Sequence, residues 1–570
     1  MSGRMRQGTP LAVMKEGVTR QRDRDAQDHN IAAGKAVASA VRSTLGPKGM
    51  DKMLVGAGSQ ITITNDGATL LDDMKIENPT GKMLIEVAES QEEEAGDGTT
   101  TAVVLTGELL DQAEDLLEQD IHPSSIIRGY RLASREIPDI IDDLAIDIDP
   151  TDEDVLRRVA ETSMTGKGAE QHKEFLADII VDTVSHLIES TDDGVQVRRS
   201  EYDTTPTSPE TLQNSIETET FVGAPINESE VLFGAIITNK DKGHEDMPDG
   251  FDDAKVLVTS DAIELGETEP DAKVTVNTPA ERQALIESER EAYRAKIDDI
   301  VESGANVVVA QSGIDKQARR LFAREGILAL QRVNKGTINT LADIMQCPVV
   351  ADVDSFTPDD LGEASFQYDQ DDDAFYVTDV EDPKAVTIIL RGSTEQLLDE
   401  IERGVEDAMR SVFLAVEQGR VLAGGGAPEV AIAGRLREYG QGVSGREQLA
   451  VESYADAVEV IPKILAENAG LDGIDVLVEL RAAHEDGEAT AGLDVESGGV
   501  VDTHEAGVLE SVRGKKNAFT AATEAANMIL KIDDIINASD LDDDDDEEPG
   551  GGGMPGGAGG MPGGGMGGMM

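Results

Sequence analysis

Residues Gly96 to Val104 read Gly-Asp-Gly-Thr-Thr-Thr-Ala-Val-Val: one carboxylate between two glycines, then three hydroxyls. Val103, Leu109, Leu110, Ala113, Leu116 and Leu117 recur at helical spacing, which predicts a helix starting at the threonines. A helix N-terminus offers unpaired N–H groups and partial positive charge, both suited to a phosphate. Glycines let backbone approach a ligand closely, and Asp97 among phosphates would suit magnesium, a hard cation that takes oxygen ligands. Taken alone, these residues fit an ordinary Gly-Asp-Gly turn with Thr99 as helix cap equally well.

The elements around this segment follow from pattern. Within the first 150 residues helices predominate. Ile31, Val37, Val41 and Leu45 lie near one helical face, and Gly46-Pro47 stops that helix. Ile61 to Thr64 reads as a short strand, Asn65-Asp66-Gly67 as a turn, and Thr80 to about Glu94 as the helix leading into the Gly-Asp-Gly loop. Thr204 to Pro209 reads as an exposed connection. Beyond it the texture is α/β, with Val231–Ile237, Lys255–Val258 and Asn306–Val309 expected as buried strands. Between the last two lies a polar helix capped by Thr278, with Pro279 in its first turn, Gly304 at its end, and a narrow stripe of Ile286, Tyr293, Ile297 and Ile300. After about residue 375 helices are expected again, with Ala450–Leu471 as a core helix. Asp542–Glu548 is an acidic spacer, and a Gly/Met/Pro tail follows to Met570.

Composition excludes several classes. The 570 residues suffice for several domains. With 114 acidic against 49 basic residues, the formal net charge is −65. That disfavours a nucleic-acid binder, as does the absence of Trp with aromatics at 3%. Such charge fits a very salty cytoplasm, where self-repulsion is screened within about 3 Å. Cys347 is the single cysteine, so no intrachain disulfide exists, and a buried thiol is expected. No apolar leader or membrane-length apolar run occurs, and the chain reads as cytoplasmic. There is no Gly-x-x-x-x-Gly-Lys-Ser/Thr element and no His-Glu-x-x-His, which argues against a P-loop nucleotidase and a zinc peptidase.

Instead, glycines recur in four ordered elements: Thr44-Leu45-Gly46-Pro47-Lys48-Gly49, Thr64-Asn65-Asp66-Gly67-Ala68-Thr69, Gly96–Thr101 and Gly424-Gly425-Gly426. With Thr44–Leu54, Thr64–Leu71, Ser444–Val451, Ala466–Asp472 and the Gly/Met tail, these resemble the chaperonin family, specifically the archaeal group II or thermosome branch, related to the eukaryotic cytosolic chaperonin. The resemblance spans roughly residues 20 to 540.

The resemblance implies ATP and Mg2+ as cofactors and assigns roles by matching position. Thr44, Leu45, Gly46 and Pro47 match a loop over the nucleotide, Asp97 the magnesium ligand, and Gly98, Thr99, Thr100 and Thr101 the phosphate cradle. Asp66 and Asp407 match carboxylates that orient the attacking water, and Lys167 matches a sensor of the terminal phosphate. Gly425 and Gly492 match backbone contacts to the nucleotide, and Glu510 and Lys515 match positions near ribose and base, although Leu509–Phe519 departs from the usual motif. Phosphoryl transfer needs positioned water, neutralised charge and donors around the phosphates, which these residue types supply.

The resemblance further implies an α+β multidomain chaperonin fold. It places a mainly helical equatorial ATPase domain at 1–150 and 407–540, and a small intermediate hinge domain at 151–219 and 376–406. An α/β apical domain with a helical lid protrusion would occupy 220–375, and a tail 541–570. The expected partners are unfolded polypeptides and like subunits in a double ring, homo- or hetero-oligomeric, with no nucleic acid or membrane. Ala318, Leu321 and Phe322, and Ile338, Leu341 and Ile344, are candidate client contacts that would serve equally as core. A structural or holdase subunit with vestigial ATPase is the alternative.

Overall fold

The computed structural model describes residues 19–22, 24–56, 61–191, 194–198, 215–238, 243–264 and 279–537. A small unit pairs Thr19–Arg22 antiparallel with Asp534–Asn537. The larger unit, Asn30–Lys531, holds everything that follows except Arg24–His29, the start of the first helix.

Its first half carries helices α1 (Arg24–Val41), α2 (Gly67–Asp73), α3 (Pro79–Ala95), α4 (Thr99–Glu118), α5 (Pro123–Leu144), α6 (Glu153–Met164) and α7 (Lys173–Leu187). In the middle are α8 (Pro279–Glu302), α9 (Lys316–Glu325) and α10 (Lys335–Met345). The last part has α11 (Glu395–Gln418), α12 (Ala427–Gly440), α13 (Arg446–Val458), α14 (Val460–Asn468), α15 (Gly473–Glu485) and α16 (Val512–Leu530). Asn78, Asp152, Asp315, Asn334, Thr394 and Asp472 each cap the helix that follows with a side-chain oxygen.

Three large apolar clusters form. One joins α3, α4 and α5 from the first half to α12, α13 and α16 from the last part. A second surrounds a six-stranded sheet in the order Leu328–Leu330, Val307–Ala310, Gly250–Thr259, Gly362–Asp369, Ala374–Thr378, Ala235–Ile237. Its first three strands run parallel and the others pair antiparallel. The third packs α6, α7 and α11 with a three-stranded sheet of Ile216–Val222, Val386–Gly392 and Glu230–Leu232. The chain is therefore mixed helix and sheet. No described helix is long and apolar enough to cross a membrane.

Several expectations are corrected. Val231–Ile237 is not one strand: it breaks at Phe233-Gly234, and its halves Glu230–Leu232 and Ala235–Ile237 enter different sheets. Gly234 passes so close to the Val377 carbonyl that any side chain there would collide with it. Helices do not resume at 375, because the strands Ala374–Thr378 and Val386–Gly392 come first and helix begins at Glu395. Ala450–Leu471 divides at Glu459 into α13 and α14, since Pro462 has no N–H to continue the ladder. Leu45 lies beyond α1 and a short 3₁₀ turn, in extended backbone. The Asn65-Asp66-Gly67 turn joins the strand Ile61–Thr64 to α2.

Ala318, Phe322, Ile338, Leu341 and Ile344 are core residues of the second cluster, with Leu321 half-buried against it. The core reading of these residues is therefore the one the structure supports, with Leu321 alone partly exposed. Tyr293, Ile297 and Ile300 are buried on α8 as one stripe, and Cys347 is a buried free thiol that burial pushes up to about 12. Thr278, the Ile286 side chain, Thr204–Pro209, the acidic run and the tail lie outside the described residues.

Candidate functional site

A cavity of about 460 Å³ opens beside the first turn of α4. Thr44, Leu45, Gly46, Pro47, Asp66, Asp97, Gly98, Thr99, Thr100, Thr101, Lys167, Gly425, Glu510 and Lys515 all line it. Asp407 is buried beneath the wall and reaches the site through Lys167. Gly492 is not part of the lining; it packs against the Gly424 carbonyl and Thr503, while Leu493 to Glu496 face the cavity.

Two helices start at this cavity without a side-chain cap. Gly98 (φ 82°) precedes α4, and Gly426 (φ 82°) precedes α12. Their first-turn N–H groups are thus left for something other than the chain's own side chains. Asp66 is held differently: its Oδ2 accepts from the Thr69 N–H at 2.7 Å, capping α2, and its own N–H donates to Thr64 Oγ1 at 3.1 Å. The turn-residue reading of Asp66 is true locally, and it fixes a carboxylate on the cavity wall.

Charge concentrates at two points. Lys167 Nζ lies 2.6 Å from Asp407 Oδ2 and 3.7 Å from Asp97 Oδ1. Burial would lower the Lys167 pKa, but Asp407 and Asp97 outweigh it and raise it, so the ammonium persists. At the other end Lys515 lies 2.7 Å from Glu429 Oε1 and also pairs with Glu510. Its pKa, too, is lowered by burial and raised more by those two carboxylates.

The structure adds residues that the sequence reading missed. Gln91 is buried on α3 and donates to the Asp97 carbonyl at 2.7 Å and the Gly514 carbonyl at 3.0 Å. It ties the Gly-Asp-Gly loop to α16. Asn468 donates to the Leu45 carbonyl at 2.8 Å and the Arg42 carbonyl at 3.3 Å, which pins the Thr44–Gly49 loop to the end of α14. Asn65 donates to the Gly166 carbonyl and holds the Lys167 loop. Glu92 sits near Asp407 and Asp66, and burial with those charges pushes its carboxyl up to about 9. It therefore holds a proton at neutral pH. Gln91 and Glu92 lie on the last turns of α3 before the recognised motif; helical spacing from a buried position was the only signal available for Gln91.

The geometry is thus a cavity with two uncapped helix starts, fixed carboxylates and a buried ammonium. Comparison with known proteins identifies the family. A family described as the TCP-1/cpn60 chaperonin family matches residues 37–540. The chain is 54% identical over 543 residues to thermosome subunit 2 of Haloferax volcanii, covering 95% of each chain. It is 50% identical to thermosome subunit beta of Halobacterium salinarum, covering 94% of each. A thermosome subunit of Pyrococcus horikoshii is 45% identical over 94% of this chain and 95% of its own.

Proposed function

The chain belongs to the TCP-1/cpn60 chaperonin family, and from that premise we propose how its cavity works as the site of ATP hydrolysis. The protein is an ATP-dependent chaperone of the group II type that folds unfolded polypeptides in a double-ring assembly.

The first-turn N–H groups of α4, with Gly98, Thr99, Thr100 and Thr101, cradle the phosphates. Thr44 to Pro47 cover the nucleotide, and Gly425 contacts it through the uncapped turn before α12. Gly492 acts from behind, through the Gly424 carbonyl. Glu510 and Lys515 face the ribose and base.

The residues present fit a magnesium ion. The Asp97 carboxylate is 47% exposed at the cavity, and no described cluster of three His, Cys, Asp or Glu is arranged to hold a metal. A cation at Asp97 would complete its shell with phosphate oxygens and water, the arrangement magnesium favours. Bound there, it would neutralise phosphate charge. Asp66 and Asp407 orient the attacking water, with Asp66 fixed by its cap and Asp407 by Lys167. Lys167 faces the terminal phosphate with a permanent positive charge.

Asp407 sits on α11, which runs on from the sheet containing Val386–Gly392 and packs against α6 and α7. Movement of that body would deliver or withdraw Asp407, coupling hydrolysis to closure. We assign 1–150 and 407–540 to the equatorial domain, 151–219 and 376–406 to the hinge, and 220–375 to the apical domain with its lid. The three apolar clusters support this division in outline, although Ala408 to Val421 and Leu509 pack with the hinge cluster. ATP shifts the ring toward its closed state by binding that state more tightly.

The observation carrying the reading is the Lys167–Asp407 pair at the cavity that the α4 N-terminus opens into. ATP hydrolysis by the wild type and Asp407→Ala in molar KCl tests it. Hydrolysis by the wild type and its loss in the variant are expected; equal negligible rates would leave the holdase alternative.

A further inference from the structure

Glu429 lies in the first turn of α12, directly after the three glycines, and its side chain has no exposed surface. A fully buried carboxylate is costly unless paired. Its Oε1 is met by Lys515 at 2.7 Å, while its Oε2 is buried without a hydrogen-bond partner. Lys515, from the first turn of α16, reaches Glu510 with the same ammonium. Glu510 is the most open of the three, with 24% of its side chain exposed at the cavity. The cluster is built on the glycine turn: a side-chain carbon at Gly424 would come within 2.8 Å of Glu510 Oε1.

One ammonium is shared here by two carboxylates, of which Glu510 is the one that faces the cavity. We propose that Glu429 is a positioning residue for nucleoside recognition. By holding Lys515 from below, it keeps Glu510 from being fully neutralised, so Glu510 presents an ionised acceptor to the ribose hydroxyls and repels phosphate. This rests on the nucleotide reading given above and deepens it: the residue that makes the site choose ribonucleotides is one that never touches them. If the Glu429 charge is removed, Lys515 turns wholly to Glu510 and occupies the acceptor. A site built to bond a hydroxyl then loses its reason to reject a ligand that lacks one.

The test is calorimetric binding of ADP and 2′-deoxy-ADP, with magnesium in molar KCl, to the wild type, Glu429→Gln and Glu429→Gln/Lys515→Met. The wild type should prefer ADP by about tenfold or more, and Glu429→Gln should bring that preference to within about threefold. The double variant, in which Glu510 is no longer claimed by an ammonium, should recover most of the preference. A purely structural role would instead weaken both ligands by the same factor and leave the ratio intact, which overturns the proposal. So would a double variant no better than the single one; should Glu429→Gln fail to fold, Glu429→Asp, whose shorter side chain draws the carboxylate back from Lys515, should lower the ADP preference part of the way, and an unchanged ratio there overturns the proposal. A wild type that binds neither ligand would defeat the nucleotide reading itself, a result distinct from a wild type that binds both with an unchanged ratio in the variants.

Discussion

At the cavity, Lys167, Asp407, Glu429 and Lys515 are buried as charges and are stable there only because each has an oppositely charged partner. In the six-stranded sheet, Val307 to Ala310 and Leu328 to Leu330 are buried among apolar neighbours, with little else asked of them. The cavity spends buried polar groups on geometry. The sheet spends its apolar residues on stability, and of the expected client contacts only Leu321 is partly exposed. A single change in the two regions should therefore fail in different ways.

The sharpest contrast is between Asp407→Ala and Phe322→Ala. Asp407→Ala should slow ATP hydrolysis by about a thousandfold, read in a steady-state phosphate-release assay, while folded protein persists. Phe322 is fully buried in the sheet's core, and Phe322→Ala should cost about 3–5 kcal/mol in denaturant melts of the apical region, while protein that remains folded still hydrolyses ATP. Loss of hydrolysis in both variants would mean the two regions are not separable as claimed.

A smaller effect is expected where the cavity is held rather than formed. Asn468→Ala removes one bond to the Thr44–Gly49 loop and one to Arg42 just before it, and should weaken ADP binding by about fivefold, worth about 1 kcal/mol, in fluorescence titration.

Smallest is a pH effect between the two regions. Glu219, on the strand Ile216–Val222, is pushed up to about 7 by burial, with Glu217 and Glu402 adding to it. A folded pKa above the unfolded value favours the protonated form. Its contribution is complete below about 4.5 and is lost as pH rises through about 7. Glu219→Gln should therefore melt above the wild type at pH 8, by about 1 kcal/mol after allowing for partial exposure, and the gap should narrow toward pH 5. A gap that widens toward acid would reverse the assignment.

How much was legible follows the same contrast. Residue type and spacing alone pointed to Asp97 and the glycine turns, and the family resemblance added Asp66 and Lys167; residues of each line one cavity. The helix starting at Thr99 and the strand Ile61–Thr64 were also legible, because each has a clear period and a clear break. What positions the site was not. Gln91 and Asn468 act through carbonyls far away in sequence, and Glu429 acts through Lys515 from another helix. The apolar run Val231–Ile237 hid a change of sheet, since periodicity cannot see the Val377 carbonyl that forces Gly234. Surfaces for varied clients demand no fixed residue type, and five of the six apolar residues nominated for that role lie in the core, with Leu321 half-buried against it.

The most direct test of the central claim is a structure of the protein with ADP, magnesium and aluminium fluoride. The account predicts phosphates on the first turn of α4, the metal on Asp97, and the fluoride group between Lys167 and the carboxylates of Asp66 and Asp407. A nucleotide bound elsewhere, or one with its phosphates at Glu510 and Lys515, would contradict it.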